Sequence, residues 1–280
     1  MLIPGFSLAC IGFLIIILII TILFVLWAKW MKRKNFMQNG GLQLQELMTS
    51  KGHDHTLTRI FTGSELKAAT NNYAEDMKIG TGGFGAVYKG ILETGKLVAI
   101  KKALVAGDGD NKEFLNEVII LTQIHHKNIV KLLGCCLETK TPLLVYEYAS
   151  NGTLADHLQQ TSKNGNVMGW DRRLAVATQM AAALSYLHRA ASPPILHRDV
   201  KATNILLDDN WDAKVGDFGV SRLIPNGDEF ITTGVHGTLG YLDPEYLQTL
   251  QLTNKSDVYS MAVMLVKLMT RLKPSGYSPS

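Results

Sequence analysis

The chain has 280 residues, of which 46% are hydrophobic and 19% are charged, and its formal net charge is +4. This length provides a core for one large domain or for two lobes. The three cysteines, Cys10, Cys135 and Cys136, exclude a disulfide-stabilised fold. The adjacent pair lies in an apolar run without metal-ligand spacing, so we expect two buried thiols. The mild basicity accompanies no RNA- or DNA-binding signature, so we expect no nucleic-acid partner.

The N-terminal region is strongly apolar. Residues 1–28 contain no charged side chain, and 6–27 is a run of mainly Ile, Leu, Phe and Val that is long enough to span a bilayer. Basic residues follow at once: Lys29, Lys32, Arg33 and Lys34. A cleaved signal peptide is the alternative, but no basic residue precedes the run and the run is too long. The pattern predicts a membrane-spanning helix over 6–28, with 1–5 outside and the rest of the chain in the cytoplasm.

A polar segment connects this helix to the folded domain. Residues 29–60 lack sustained periodicity, which predicts a mobile juxtamembrane linker. Residues 61–75 lead into the domain, and here Thr62 or Ser64 is expected to cap a short helix that ends at Ala69.

The next motif is rich in glycine. IGTGGFGAVYKGIL and KLVAIKK predict a strand, a glycine turn and two further strands, and Gly80, Gly82 and Gly85 form G-x-G-x-x-G. In a dinucleotide-binding fold this fingerprint leads from a strand into a helix. Here it leads into a second strand, which favours a glycine hairpin laid over phosphates, with a plain structural hairpin as the alternative.

A helix is predicted over 111–123 from its periodic apolar residues, and Glu117 lies on it, 16 positions after the strand residue Lys101. A lone helical glutamate is usually solvated, but one beside an apolar stripe is better explained as the partner of Lys101. Further elements follow from the apolar pattern: strands at 129–137 and 142–148, a hinge at 149–153, and helices at 170–190 and 254–270.

The stretch from His197 to Gly219, HRDVKATNILLDDNWDAKVGDFG, carries Asp199, Asn204 and Asp217 at separations that phosphoryl transfer explains. Two short apolar strands within it predict a hairpin, with Asp199 before the first strand and Asp217 after the second. A carboxylate there can orient a hydroxyl nucleophile, while Asn204 and Asp217 offer hard oxygen ligands to Mg²⁺.

Together with these motifs, NEVIILTQIHHKNIVKLLGCC and GTLGYLDPEYLQTLQLTNKSDVYS make the chain resemble plant receptor-like serine/threonine protein kinases of the wall-associated kinase-like group. The resemblance implies an α+β, bilobal kinase fold over 76–280, with an N-lobe of antiparallel sheet plus helix and a mainly helical, incomplete C-lobe. It also implies a membrane-anchored enzyme that uses ATP and Mg²⁺, or alternatively Mn²⁺, to phosphorylate Ser or Thr of protein substrates. Cell-surface receptor signalling at the plasma membrane, and homo- or hetero-oligomers with other receptor kinases, are further expectations.

The resemblance also assigns roles to individual residues. Asp199 would be the catalytic base with Lys201 beside the γ-phosphate, Lys101 would pair with Glu117, and Asn204 and Asp217 would hold the metal. The nucleotide would contact the glycine loop (Gly80, Thr81, Gly82, Gly83, Phe84, Gly85), the adenine-facing residues (Ile79, Val87, Ala99, Leu206) and the hinge (Glu147, Ala149), behind Tyr146 as gatekeeper. Arg198, with Thr232, Thr233 and Thr238, predicts control by activation-loop phosphorylation.

Three departures from the family pattern stand out. Ala262 and Lys267 replace a usual glycine and a usual glutamate. The sequence ends at Ser280, 35 residues after Glu245, before the family helices that supply this glutamate with an arginine partner. We therefore expect a truncated C-lobe, an uncompensated buried charge at Glu245 and uncovered apolar surface, with no extracellular sensor. The apolar residues expected to be uncovered are Val258, Met264 and Leu268. The alternative function is a catalytically impaired ATP-binding or interfering module.

Overall fold

The computed structural model describes residues 3–50, 59–82, 85–103, 108–159, 168–225 and 227–271. The helices are α1 (Ile3–Gln38), α2 (Gly41–Ser50), α3 (Gly63–Ala69), α4 (Asp108–Leu121), α5 (Leu154–Gln159), α6 (Trp170–Ser185), α7 (Pro244–Thr249) and α8 (Asn254–Thr270). The strands are β1 (Arg59–Ile60), β2 (Lys78–Gly82), β3 (Gly85–Ile91), β4 (Leu97–Lys102), β5 (Leu132–Cys136), β6 (Leu143–Glu147), β7 (Ile195–Leu196), β8 (Ile205–Leu207), β9 (Ala213–Val215), β10 (Arg222–Leu223), β11 (Ile231–Thr232) and β12 (Gln251–Leu252).

The N-terminal lobe is built on a six-stranded sheet in the order β1-β5-β6-β4-β3-β2. Neighbouring strands are antiparallel except for β1, which pairs in parallel with β5. Side chains alternate between the two faces of β4. Val98 and Ile100 are fully buried in a cluster with Leu66 of α3, so Lys101 emerges on the opposite face. The predicted antiparallel sheet is confirmed. The sequence did not predict β1, because a strand of two residues is too short to show a periodic pattern.

One large apolar cluster joins the sheet to the helices of the C-terminal lobe. It contains Val118 of α4, Leu144 of β6, Met180 of α6 and Met264 of α8, all of them buried. Because a single cluster runs through both lobes, the sheet and the helical lobe are packed against each other. This arrangement confirms the predicted α+β, bilobal kinase fold.

Local signals account for several element ends. The hydroxyl oxygen of Thr62 accepts the backbone N–H of Glu65 at 3.2 Å, so Thr62 rather than Ser64 caps α3. α6 begins at Trp170 as predicted, but it ends at Ser185, and the turn that follows, Tyr186–Ala190, is π-helical. Cys135 and Cys136 are buried free thiols, as expected, and burial raises the pKa of Cys135 to about 12.

The segment predicted as a mobile linker differs from that expectation over 29–50. α1 continues without interruption to Gln38, and α2 begins at Gly41. Leu44 of α2 is buried in the large apolar cluster. A periodic pattern did not reveal this helix, because the burial of Leu44 depends on distant parts of the chain. The linker boundaries stay predictions.

Among the described residues, one helix is long and apolar enough to cross a membrane. It is the part of α1 over Ile11–Gln38, whose most apolar 18-residue window has a mean hydropathy of 3.1 and is not buried against the protein. The criterion rests on length and composition alone.

The expectations about the C-terminal lobe are corrected in two places. Glu245 is exposed, so its charge is solvated by water and the predicted cost of an uncompensated buried charge does not arise. Met264 and Leu268 are buried, and of the three apolar residues expected to be uncovered only Val258 is exposed. Lys267 is buried, and its Nζ donates a hydrogen bond to the hydroxyl of Tyr241 at 3.1 Å.

Candidate active site

The glycine motif forms a hairpin between β2 and β3. These strands are antiparallel, and Gly82 at the end of β2 lies opposite Gly85 at the start of β3. Gly85 has a φ of +136°, and a Cβ there would overlap the carbonyl oxygen of Lys102, so this position requires glycine. The motif therefore joins two antiparallel strands, as predicted, and does not lead from a strand into a helix as in a dinucleotide-binding fold. Gly83 and Phe84 lie outside the described residues.

Lys101 of β4 binds two carboxylates. Its Nζ lies 3.0 Å from Oε2 of Glu117 on α4 and 2.7 Å from Oδ1 of Asp217. Burial opposes the charge on Lys101, but the two carboxylates outweigh burial, so the pKa of Lys101 is raised. Burial likewise opposes the charge on Asp217, but Lys101 outweighs it, so the pKa of Asp217 is lowered. The lysine is thus a permanent cation, and the predicted partnership with Glu117 is present in the fold.

The other oxygen of Glu117 is also used. Its Oε1 accepts the hydroxyl proton of Tyr146 at 2.6 Å and the backbone N–H of Phe218 at 3.2 Å. Burial and the negative charge of Glu117 raise the pKa of Tyr146, so the phenol stays a donor. One buried carboxylate therefore connects β6, α4 and the Asp217–Gly219 segment. The sequence suggested Tyr146 as gatekeeper but gave no sign that it contacts Glu117.

Asp199 lies at the centre of a second polar group. Its Oδ1 accepts the hydroxyl proton of Thr238 at 2.6 Å, and its Oδ2 lies 2.6 Å from Nζ of Lys201. Lys201 also donates to the hydroxyl oxygen of Thr238 at 2.9 Å. Asn204 donates through Nδ2 to the backbone oxygen of Asp199 at 2.9 Å. Thr238, predicted as a regulatory residue, therefore lies within the group that holds Asp199.

The predicted hairpin between β8 and β9 brings Asn204 close to the Asp217 segment. Ile205 to Leu207 pair with Ala213 to Val215 in antiparallel register. The backbone N–H of Gly216, next to Asp217, donates to the carbonyl of Asn204 at 2.9 Å. Because Nδ2 of Asn204 is bound by Asp199, its amide oxygen is available as a ligand. An amide oxygen beside a carboxylate fits a divalent cation that keeps water and phosphate oxygens as its other ligands.

The residues expected around an adenine ring are brought together in part. Ala99 of β4 and Leu206 of β8 pack on the same large apolar cluster, although they belong to different lobes. Val87 of β3 is half-buried, and Ile79 of β2 is exposed. Of the expected hinge positions, Glu147 ends β6 and Ala149 comes two residues later. Gly80 and Thr81 of the glycine loop lie on β2.

Arg198 organises the segment that follows Gly219. Its guanidinium donates to the carbonyls of Val220 at 3.1 Å and Gly234 at 2.7 Å, and to the hydroxyl of Tyr246 at 2.8 Å. The hydroxyl oxygen of Thr233 lies 3.4 Å from its Nη2. Thr232 is exposed, and no contact between it and Arg198 is among the hydrogen bonds of the described residues. Of the predicted regulatory threonines, Thr233 is therefore the one beside the arginine.

Two further basic side chains, Arg222 and His236, lie near this arginine. Burial and the charge of Arg198 lower the pKa of Arg222. Burial, Arg198 and Arg222 together lower the pKa of His236. Repulsion among the three basic side chains contributes to both shifts, and the nearby carboxylate of Glu113 partly opposes the shift of Arg222.

Sequence reasoning missed two residues that hold the site in shape. Asp257 of α8 is buried, and its carboxylate accepts the backbone N–H groups of His197 and Arg198 at 2.8 Å each, and His188 Nε2 lies 2.8 Å away. Arg198 has a φ of +73°, a strained backbone that these bonds stabilise. Asp257 lies in the KSDVYS stretch that contributed to the family resemblance, but sequence reasoning assigned no role to this residue.

The second missed residue is Asn116 on α4. Its Nδ2 lies 3.1 Å from the carbonyl of Phe218, 2.9 Å from that of Gly219 and 2.9 Å from that of Ser221. The amide thus ties the backbone after Asp217 to the helix that carries Glu117. An asparagine beside an apolar stripe carries no sequence signal for this contact.

These two lobes, with a lysine held between two acids and a hairpin that presents Asn204 and Asp217 together, define a protein kinase domain. The protein kinase domain family matches residues 73–278, and the chain belongs to this family, whose members use ATP and a divalent cation. The chain is 52% identical over 246 residues to wall-associated receptor kinase-like 6 of Arabidopsis thaliana, covering 87% of this chain and 38% of that protein. It is 51% identical over 267 residues to wall-associated receptor kinase 5 of the same plant, covering 93% of this chain and 36% of that protein.

The predicted resemblance to the wall-associated kinase-like group is therefore confirmed. A third relative, wall-associated receptor kinase 2 of Arabidopsis thaliana, is 51% identical over 243 residues, which cover 87% of this chain and 33% of that protein. The chain spans roughly a third of the length of these curated relatives.

Proposed function

We propose that this chain transfers the γ-phosphoryl group of ATP to serine and threonine hydroxyls of protein substrates. The observation that supports this most directly is the contact between Asp199 and Thr238. The carboxylate already accepts a hydrogen bond from the hydroxyl of Thr238 at 2.6 Å, and Nζ of Lys201 donates to that hydroxyl oxygen at 2.9 Å. A substrate hydroxyl in an equivalent position would be oriented by Asp199, which would take up its proton, while Lys201 would stabilise charge on the phosphoryl oxygens.

The phosphates would lie beneath the glycine hairpin and beside Lys101, whose cation Glu117 holds in place. Asn204 and Asp217 would bind Mg²⁺, with Mn²⁺ as an alternative. When bound, the cation neutralises negative charge on the phosphates. The adenine would lie between the residues on the strands of the two lobes: Ile79, Val87 and Ala99 on one side and Leu206 on the other. The backbone of Glu147 and Ala149 would bind its edge, and Tyr146 would close the space behind it.

The experiment is phosphoryl transfer from labelled ATP to a general protein acceptor, with the purified full chain in detergent. Asp199→Asn should lower the rate by about 10²-fold or more, since it removes the base. Asp209→Asn is the matched control, because Asp209 is an exposed carboxylate at the turn of the same β8–β9 hairpin. A wild-type chain without transfer activity, or equal rates for both variants, would refute the proposal.

We further propose that the kinase is anchored in the plasma membrane with its catalytic domain in the cytoplasm. The support is the apolar part of α1 followed by Lys29, Lys32, Arg33 and Lys34, together with relatives named receptor kinases. A role in receptor signalling, and association with other receptor kinases, belong to the same proposal. Protease treatment of sealed vesicles should digest the kinase domain from the cytoplasmic side. Digestion that requires opening of the lumen would show the opposite orientation.

A further inference from the structure

The end of α1 lies against the turn that connects β5 to β6. Nζ of Lys32 lies 3.0 Å from Oε1 of Glu138, and Nδ2 of Asn35 donates to the backbone oxygen of Glu138 at 3.0 Å. The same Oε1 accepts the backbone N–H of Gly63, at the start of α3, at 2.7 Å. Glu138 therefore joins the N-terminal helix to the lobe that carries the sheet.

Asn39 makes a more specific contact than this ion pair. Its side chain is 2% exposed, and its Nδ2 donates to the backbone oxygens of Leu137 at 2.8 Å and Thr139 at 2.9 Å. A buried amide that uses both of its protons fixes position and orientation together. The Lys32 side chain, by contrast, is half exposed, and surface ion pairs contribute little.

The chain then turns onto α4, the helix that carries Glu117. Gly40 has a φ of +80°, and a Cβ there would overlap the side chain of Leu115 on α4. Leu44 of α2 is 2% exposed, in the same apolar cluster as Phe114 and Val118 of α4. The segment that follows the N-terminal helix therefore lies against Leu115 of α4 and shares its apolar cluster.

We propose that residues 32–44 form a docking strap that couples the N-terminal helix to α4, and thereby sets the position of Glu117 beside Lys101. Asn39 and Leu44 are positioning residues in this scheme. α1 is helical without a break from Ile3 to Gln38. A displacement or rotation of its apolar part is therefore transmitted along the rigid helix to Asn39. The inference rests on the proposed function, because the position of Glu117 affects activity through the lysine that contacts the phosphates.

The test uses the full chain in lipid nanodiscs, with two variants of the strap and two matched controls. Leu44→Ala removes the buried leucine, and its control Leu42→Ala changes a leucine of the same helix that is 52% exposed. Asn39→Ala removes the buried amide, and its control Gln38→Ala changes the exposed neighbour. The measurements are amide hydrogen exchange in α4, and KM for ATP and kcat for phosphoryl transfer.

We expect exchange in α4 to be about tenfold faster in Leu44→Ala and Asn39→Ala, because loss of buried packing promotes local opening. KM for ATP should rise about threefold or more in both, since a displaced Glu117 no longer holds the lysine on the phosphates. The two controls should match the wild type. Leu44→Met, which conserves volume, should restore wild-type exchange and KM.

Equal α4 exchange in Leu44→Ala and Leu42→Ala would overturn the docking strap. Faster exchange with unchanged KM and kcat would overturn its coupling to Glu117. A wild-type chain that transfers no phosphate would refute the proposed function instead, and the exchange comparison would still decide whether the strap is docked on α4.

Discussion

The phenol of Tyr146 and the carboxylate of Glu117 form a buried hydrogen bond of 2.6 Å, while the other oxygen of Glu117 binds Lys101 at 3.0 Å. Glu117 therefore binds Lys101 of β4 with one oxygen, and Tyr146 of β6 and the Phe218 backbone with the other. The bond attaches α4 to β6.

Tyr146→Phe tests this attachment. It removes a hydrogen bond to a charged acceptor, which contributes about 1.5–3 kcal/mol, and leaves the Lys101 pair intact. We expect a lower melting temperature and a moderately raised KM for ATP, measured by thermal unfolding and phosphoryl transfer. Tyr148→Phe, two residues along at a half-buried hinge tyrosine, is the control. Identical melting curves for the two variants would show that the Tyr146 bond contributes nothing.

Lys101 and Asp217 should both be needed for phosphoryl transfer, but for different reasons. In the proposed function, Lys101→Met would remove a direct phosphate contact, whereas Asp217→Asn would remove a charged metal ligand. Both variants should lose transfer activity, and only Asp217→Asn should shift the Mg²⁺ concentration needed for nucleotide binding. Lys102→Met is the control, because Lys102 lies over the ring of Tyr73 at 4.2 Å, away from the two acids. Superimposable metal titrations for Lys101→Met and Asp217→Asn would contradict this division of roles.

The sequence predicted the residues whose chemistry requires a fixed spacing along the chain, and it missed the contacts that depend on folding. Four charged residues stand in motifs: Lys101, Glu117, Asp199 and Asp217. Their charges are explained if they act on a phosphate, a metal ion or a hydroxyl group. The hydrogen bonds from Thr238 to Asp199, from Asp257 to the His197–Arg198 backbone and from Tyr146 to Glu117 join positions far apart in sequence. α2 was missed for the same reason, because its buried face is completed by α4.

Asp257 should make the stability of the fold sensitive to acid. Burial opposes its charge, but the hydrogen bond and charge of His188 and the charge of His197 outweigh burial, so the pKa of Asp257 lies below its ordinary value of 3.8. A carboxyl group with a lowered folded pKa contributes stability above its unfolded pKa, and this stability is lost as the pH falls through the folded pKa.

Asp257→Asn should therefore cost about 3–5 kcal/mol at neutral pH and flatten the fall in melting temperature below about pH 4. Melting temperatures between about pH 7 and about pH 3 provide the measurement. Asp228→Asn, at an exposed aspartate, should follow the wild-type curve. A variant curve parallel to that of the wild type throughout the acid range would show that Asp257 is not the titrating group.

Thr233 is expected to be the regulatory phosphorylation site of the segment after Gly219. Its hydroxyl lies 3.4 Å from Nη2 of Arg198, whereas Thr232 is exposed and Thr238 is bound by Asp199 and Lys201. A phosphate on Thr233 would accept charge-assisted hydrogen bonds from Arg198 and would add negative charge beside Arg222 and His236.

This arrangement predicts opposite outcomes for neighbouring threonines. Thr233→Ala should remove the gain in activity that follows preincubation of the chain with ATP, while Thr232→Ala should retain it. Binding of the phosphate should also raise the pKa of His236, whose value burial and the two arginines now lower, so its NMR titration should move to higher pH after phosphorylation. Mass spectrometry of the preincubated chain should find the phosphate on Thr233. A phosphate on Thr232 alone, or an unchanged His236 titration with Thr233 phosphorylated, would remove the basis for assigning this pocket to Thr233.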